Sequence, residues 1–357
     1  MTERTRSDVG DPAETLVAEG TAAFAEYWRT DRPEALDAAT GALRRAVAVT
    51  VDGHPELAAR LTLLRLCLQA RFQEHGDPAD LAAMVDTAAR AVAAADPADP
   101  ELPRMLAALS RASLTGGDVD GAVTAARQAV AAAPPGHRYR WQYLGELGEA
   151  LWRRYGRDLD RDDLDAAADA FRSAASASDP DDPGRLRLLS LLSNVLRTRF
   201  VQAGDRAGDQ ADIDGAVRAA RAAADGTEPA GPVYAGRLFN LALALGTRAD
   251  HCDDPADLDD AIDAARRSVE ATPSDDPDLP ERLAALEFLH SLRPAAGLDA
   301  IVAAVASGEV PLDEACDIAR QRGAAGAYSI ELLSSEADAA FQLVGADPVA
   351  AWRLGRV

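Results

Sequence analysis

His251, Cys252, Asp253 and Asp254 stand side by side, a mix of nitrogen, sulfur and oxygen donors of the kind that holds a divalent metal. Asp253, Asp254 and Asp257 also spell Asp-Asp-x-x-Asp, a string whose carboxylates would hold magnesium on a diphosphate. A second acidic run, Asp158, Asp160, Asp162 and Asp169, falls on the first, third, fifth and twelfth places of a calcium loop. That loop needs glycine at its sixth place, where Asp163 stands, and ends here in Asp169 rather than glutamate. The histidines, His54, His75, His137, His251 and His290, are scattered, and none has a Glu and a second His at the helical spacing of a zinc site. Cys67 lies in an apolar stretch and reads as a small core residue. Cys316 has no His or Asn arranged nearby to activate it. There is no Gly-rich phosphate loop and no nucleophile elbow.

The acidic strings have a simpler reading. The position before 254–257 recurs as GDPADL at 76–81, GDQADI at 208–213 and DRPEAL at 31–36. A feature repeated along the chain is structural: a carboxylate caps the coming helix and faces its positive N-terminal end. The run at 158–169 reads the same way, as a solvated capping run. No metal, no cofactor and no catalysis are therefore expected.

The elements that carry these strings are helical. Of 357 residues, 80 are alanine and none is lysine, so all 37 basic residues are arginine. Alanine, leucine, arginine and glutamate favour helix, and an aromatic content of 5% is too low for ordinary pleated faces. A net charge of −22 argues against binding nucleic acid through its phosphates. Apolar stretches are broken well short of a membrane span, and the N-terminus has no apolar secretory core. Three separated cysteines fit a reducing compartment, so a cytoplasmic location is expected.

One pattern organises the chain. Twelve-residue segments starting at Leu36, Leu81, Val119, Leu164, Ile213 and Leu258 repeat small or apolar residues on one helical face. Their fourth places are Ala39, Met84, Ala122, Ala167, Ala216 and Ala261; their eighth are Leu43, Ala88, Ala126, Phe171, Ala220 and Ala265. A second amphipathic stretch precedes each, as at 57–72, 143–155, 186–200 and 236–248. The unit is a helix hairpin that buries its faces by stacking on its neighbours.

These residues resemble the tetratricopeptide repeat family. Its second-helix pattern of small, bulky, small and proline is met by Ala122, Ala126, Ala129, Pro134 and by Ala261, Ala265, Ser268, Pro273. Ala167, Phe171 and Ala174 also fit, with the proline slipped by one to Pro180. The first-helix pattern is met by Leu144, Leu147, Gly148 and Leu151. Only the unit at Val119 has close to the family's usual length, so the others are expected to carry long loops between their two helices. Such elongated arrays are similar to those of actinobacterial proteins in which the array adjoins a CHAT peptidase or a signalling domain. The stretch after Pro294 is expected to be too short for such a catalytic domain.

The resemblance implies an all-α, right-handed solenoid of six hairpins over 12–293, after a disordered tail 1–11. Residues 294–357 are expected to form a helical cap or a docking segment: Leu298, Ile301, Val302 and Val305 as a shortened second helix, then helices at 311–322, 335–344 and 347–354. It also implies that first helices line a concave groove. Position by position, this assigns to the groove Arg104, Arg111, Gln142, Glu149, Trp152, Arg153, Arg187, Asn194, Arg197 and Thr198. Five of these are arginine and one is acidic, so the groove is expected to be cationic while the acidic surplus sits on loops and the outer face. The alternative is that these arginines pair with acidic loops of neighbouring hairpins. The aromatic clusters Trp152/Tyr155 and Phe24/Tyr27/Trp28 read first as core packing.

Arginine's planar fork suits a carboxylate in a partly dry groove. The expected function is a non-catalytic scaffold that binds an acidic or carboxylate-bearing segment of another protein, without nucleic acid or membrane. One alternative is a regulatory or sensor module acting on a separately encoded effector. Another is an enzyme using the groove as a small-molecule site.

Overall fold

The computed structural model describes residues 12–180, 182–203, 210–252, 254–292, 329–335 and 338–344. The tail 1–11, the stretch from Leu298 to Val305, the segment 311–322 with Cys316, and 347–354 lie outside the described residues.

The helices are α1 (Pro12–Thr30), α2 (Pro33–Val49), α3 (Leu57–His75), α4 (Pro78–Ala94), α5 (Leu102–Thr115), α6 (Val119–Ala132), α7 (Arg140–Asp158), α8 (Arg161–Ala177) and α9 (Pro183–Ala203). They continue as α10 (Gln210–Asp225), α11 (Gly231–Cys252), α12 (Pro255–Glu270) and α13 (Leu279–Ser291). The chain forms two compact units that divide between Arg206 and Ala207. In the first, α1/α2, α3/α4, α5/α6 and α7/α8 pack as hairpins, each next to the one before it, and α9 packs on α8. In the second, α10 packs on α11, α11/α12 form a hairpin, and α13 packs on α12.

Carboxylates start the second helices. Asp77, Asp118, Asp160 and Asp254 each accept a backbone N–H of the first turn, and proline stands at the start of α2, α4 and α12, where no donor is lost. The repeated small residues become the core. Ala39, Ala122, Ala167, Ala216 and Ala261 are all 0% exposed, as are Ala126, Phe171 and Ala220. A Cβ on Gly148 would come within 2.9 Å of the Phe171 ring, so glycine in α7 is what lets the bulky ring of α8 seat between the helices.

Arginine joins hairpin to hairpin in two repeated ways. Near the start of each of five first helices, a guanidinium donates to the residue ten places earlier, at the end of the preceding second helix: Arg60 to Thr50, Arg140 to the Val130 carbonyl, Arg185 to the Ala175 carbonyl, Arg237 to Thr227 and Arg282 to Thr272. This puts positive charge on the negative helix end. Farther along, Arg71, Arg154 and Arg248 pair with Asp80, Asp163 and Asp257, nine residues on, at 3.1, 2.6 and 2.6 Å. The same side chains reach back 34 residues to Asp37, Asp120 and Asp214 on the preceding second helix. Arg199 pairs with Asp165 at that same separation, at 3.4 Å. Asp80, Asp163 and Asp257 are buried.

Two expectations are corrected. The loops inside hairpins are short: two residues separate α1/α2, α3/α4, α7/α8 and α11/α12, and three separate α5/α6. The longer units carry their extra residues mainly in the helices, 16–22 residues against 14 in α5 and α6, because the apolar face continues beyond the repeat motif. In the segment 335–344, expected as helix, residue 335 and residues 338–344 belong to an antiparallel strand pair, β1 (Ser329–Ser335) and β2 (Asp338–Val344), and 336–337 lie outside the described residues. Its register sets Ile330 opposite Leu343 and Leu332 opposite Phe341. Ile, Leu and Phe recurring at every second residue is a strand period, which the alanines of DAAFQLV had masked.

Candidate binding surface

The expected groove residues fall on α5, α7 and α9, first helices of their hairpins. Pairing across these helices sets their geometry. Arg111 on α5 donates to Glu146 on α7 at 2.7 Å, and Arg187 on α9 donates to Glu149 on α7 at 2.5 Å. Arg111, Glu149 and Arg187 thus lie along neighbouring first helices, joined through Glu146 and Glu149 of α7. The partners correct the charge assignment: Glu146 was missed, and these arginines meet acids on the face itself rather than on loops. Burial raises the Glu146 carboxyl above its ordinary range despite the opposing pull of Arg111.

The other expected residues divide. Arg104 is exposed and paired with Glu101 at 2.5 Å. Gln142 is exposed, and Asn194 and Thr198 are half-buried. Trp152 stacks on Tyr155 with ring centroids 5.5 Å apart, so it is held in packing while one part faces solvent. Arg153 is exposed and has no carboxylate within 4 Å among the described residues. Arg197 is half-buried, its Nε has no acceptor, and burial lowers its affinity for the proton. In the N-terminal cluster Tyr27 is buried and donates to Glu74 at 2.6 Å, whereas Trp28 is 70% exposed and is not core.

A further member of this surface escaped the sequence reading. Arg65 on α3 is only 6% exposed; Gln69 Oε1, at 2.8 Å, is the acceptor recorded for it. Its pKa falls to about 10, first through burial and then through the nearby charges of Arg111 and Arg104. The missing signal was internal. Six residues before the junction arginines Arg154, Arg199 and Arg248 stand Gly148, Ser193 and Ala242; six before Arg71 stands Arg65.

Two residues of the acidic strings are helix caps and two are ion-paired. Asp254 caps α12 and Asp160 caps α8, Asp158 pairs with Arg157, and Asp169 pairs with Arg172, both exposed. Asp253 lies outside the described residues. Among the described residues no group of His, Cys, Asp and Glu would hold a metal ion, and no helix is long and apolar enough to cross a membrane. Cys67 is buried in the core and its thiol is pushed up to about 12 by burial.

No protein-family model matches this chain, and no curated protein matches it. Solved arrays of tetratricopeptide type are similar to it. A putative kinesin light chain from Podosopora anserina, with nearly identical TPR-like repeats, is 18% identical with a TM-score of 0.42, covering 58% of this chain and 95% of its own. TTC0263, a thermophilic TPR protein from Thermus thermophilus, is 20% identical with a TM-score of 0.41, covering 64% and 99%.

Proposed function

We propose that this protein is a non-catalytic scaffold whose first-helix face binds an acidic or carboxylate-bearing segment of another protein. The observation that carries this reading is the sorting of the arginines. Those at hairpin junctions are engaged with carboxylates or helix ends, while Arg65, Arg153 and Arg197 on the first helices meet no carboxylate among the described residues. An unpaired guanidinium held partly out of water is destabilising, and an incoming carboxylate offsets that penalty with a two-pronged hydrogen bond. Arg111 and Arg187 are more than half exposed in their ion pairs. Their acids are far less exposed, 18% for Glu146 and 24% for Glu149, so a ligand carboxylate adds to the open side of these guanidinium groups rather than displacing Glu146 or Glu149. Gln142, Trp152, Asn194 and Arg104 line the approach and supply amide, aromatic and charged contacts. Free thiols at Cys67 and Cys252 suit a reducing, cytoplasmic setting.

The test is capture from native lysate by wild type and by Arg153→Glu/Arg197→Glu, with folding checked by circular dichroism. A partner held by wild type and released by the folded double variant supports the reading. A partner held equally by both removes this face as the binding site. Capture should weaken as salt is raised from about 50 to about 300 mM, because partly exposed charges are screened.

A further inference from the structure

We infer that Arg65, with Arg104 and Arg111 beside it, forms a subsite for a single carboxylate in the cleft where α3, α4 and α5 meet. The first support is the comparison inside the chain. At the equivalent place the other hairpins carry Gly148, Ser193 and Ala242, so packing of this repeat calls for a small residue there. In α7/α8 the small residue faces the large one, Gly148 against Phe171. In α3/α4 the residue matching Phe171 is Ala88, alanine as at Ala126, Ala220 and Ala265, so the first-helix side alone is enlarged, and Arg65 and Ala88 line the same pocket. A methionine or leucine would fill that space without burying charge. An arginine there costs stability and supplies five N–H donors.

The second support is the pocket itself. Arg65 and Arg104 open onto it, and Ala91, Met105 and Ala108 form apolar walls. The opening is the size of one water, so a single carboxylate oxygen enters it and the rest of the ligand stays at the mouth beside Arg104. Arg104 lines the pocket in an exposed pair with Glu101 and can swing to a second oxygen, while Arg111 stays paired with Glu146 and adds its charge from nearby. The third support is the set of nearby charges: Arg65 has no ion pair among the described residues, and the groups acting on it are the two cations Arg111 and Arg104. An anion beside Arg65 and Arg104 offsets the repulsion these cations exert on Arg65.

The subsite rests on the scaffold reading only for the source of the carboxylate, which is either a side chain or terminus of a bound polypeptide or a free small acid. The full chain is melted in sodium acetate against sodium chloride at equal ionic strength, and in a hexapeptide ending in two glutamates. Acetate at about ten times its dissociation constant is expected to raise the melting temperature by roughly 2–4 °C over chloride. Arg65→Met should abolish the rise. Arg65→Lys, which keeps the charge and loses the fork, should weaken acetate at least tenfold and covers the case in which the methionine variant does not fold.

Equal melting in acetate and chloride, or an undiminished rise in either variant, overturns the subsite. Protection by acetate with no binding of the hexapeptide keeps the subsite for a free acid and removes the scaffold reading. Hexapeptide binding of equal strength to wild type and Arg65→Met removes the subsite and leaves the scaffold reading standing.

Discussion

Arginines at the hairpin junctions and arginines on the first-helix face share a side chain and differ in everything around it. Arg154 and Arg248 grip Asp163 and Asp257 with two hydrogen bonds each, and those bonds, more than any other influence, raise their affinity for the proton. Arg65 and Arg197 are partly withdrawn from water without a carboxylate, and burial lowers theirs. The acids divide the same way. Asp120, at a junction, is held below its ordinary range by its hydrogen bond to Arg157, whereas burial lifts Glu146 on the face. One set of charges holds the array together; in the other, Arg65, Arg153 and Arg197 meet no carboxylate among the described residues. That contrast is the reason to look for a ligand on the face and not at the junctions.

The contrast is open to breakage. Asp163→Ala leaves Arg154 with only Asp120 and should cost about 3 kcal/mol, the lower end for opening a buried pair, because Arg154 keeps 21% exposure; a urea midpoint shift reports it. Gly148→Ala drives a methyl into Phe171 and should cost roughly 2 kcal/mol, again by urea unfolding. Arg65→Met, on the face, should leave stability unchanged or raise it by about 1 kcal/mol. A loss comparable to that of Asp163→Ala would show that Arg65 is a junction residue in disguise.

The smallest effect concerns pH. A carboxyl whose folded pKa is raised holds its proton more tightly folded than unfolded, so its contribution is full below the unfolded pKa and disappears as pH rises through the folded one. Wild type should therefore lose stability relative to Glu146→Gln as pH rises from the ordinary carboxylate range through the raised folded value. Asp120 should act in the opposite sense and lose its contribution on acidification. Unfolding curves for the Glu146→Gln and Asp120→Asn variants from about pH 3 to about pH 7 separate the two.

Much of the fold was legible in the sequence because its determinants repeat. Ala39 through Ala261 and Leu43 through Ala265 mark the buried face of each second helix, and Asp77, Asp160 and Asp254 cap where a carboxylate recurs before the apolar run. Gly148 and Phe171 were readable as a motif, although their mutual contact was not. Hairpin loop lengths were misjudged because a repeat motif marks contacts and not helix ends; the extra residues extend α7, α9 and α11 along the same apolar face. The strand pair was hidden because Ala339 and Ala340 read as helix formers, and pairing with 329–335 is invisible to a local pattern. On the candidate surface, residue positions were legible and partners were not. Glu146 lies one place beyond Gly145 on α7, off the expected rows, and Arg65 sits where the repeat should be small.

The junction ion pairs join residues 9 and 34 apart in the chain, so each ties a hairpin to the one before it and to nothing farther away. Contacts this local keep loop-closure entropy low and favour fast folding, with each hairpin templating the next in the manner of a one-dimensional lattice. Opening Arg154 from Asp120 and Asp163 would then act as a break in that lattice: hydrogen exchange should quicken on both sides of α7 while the more distant hairpins keep their protection.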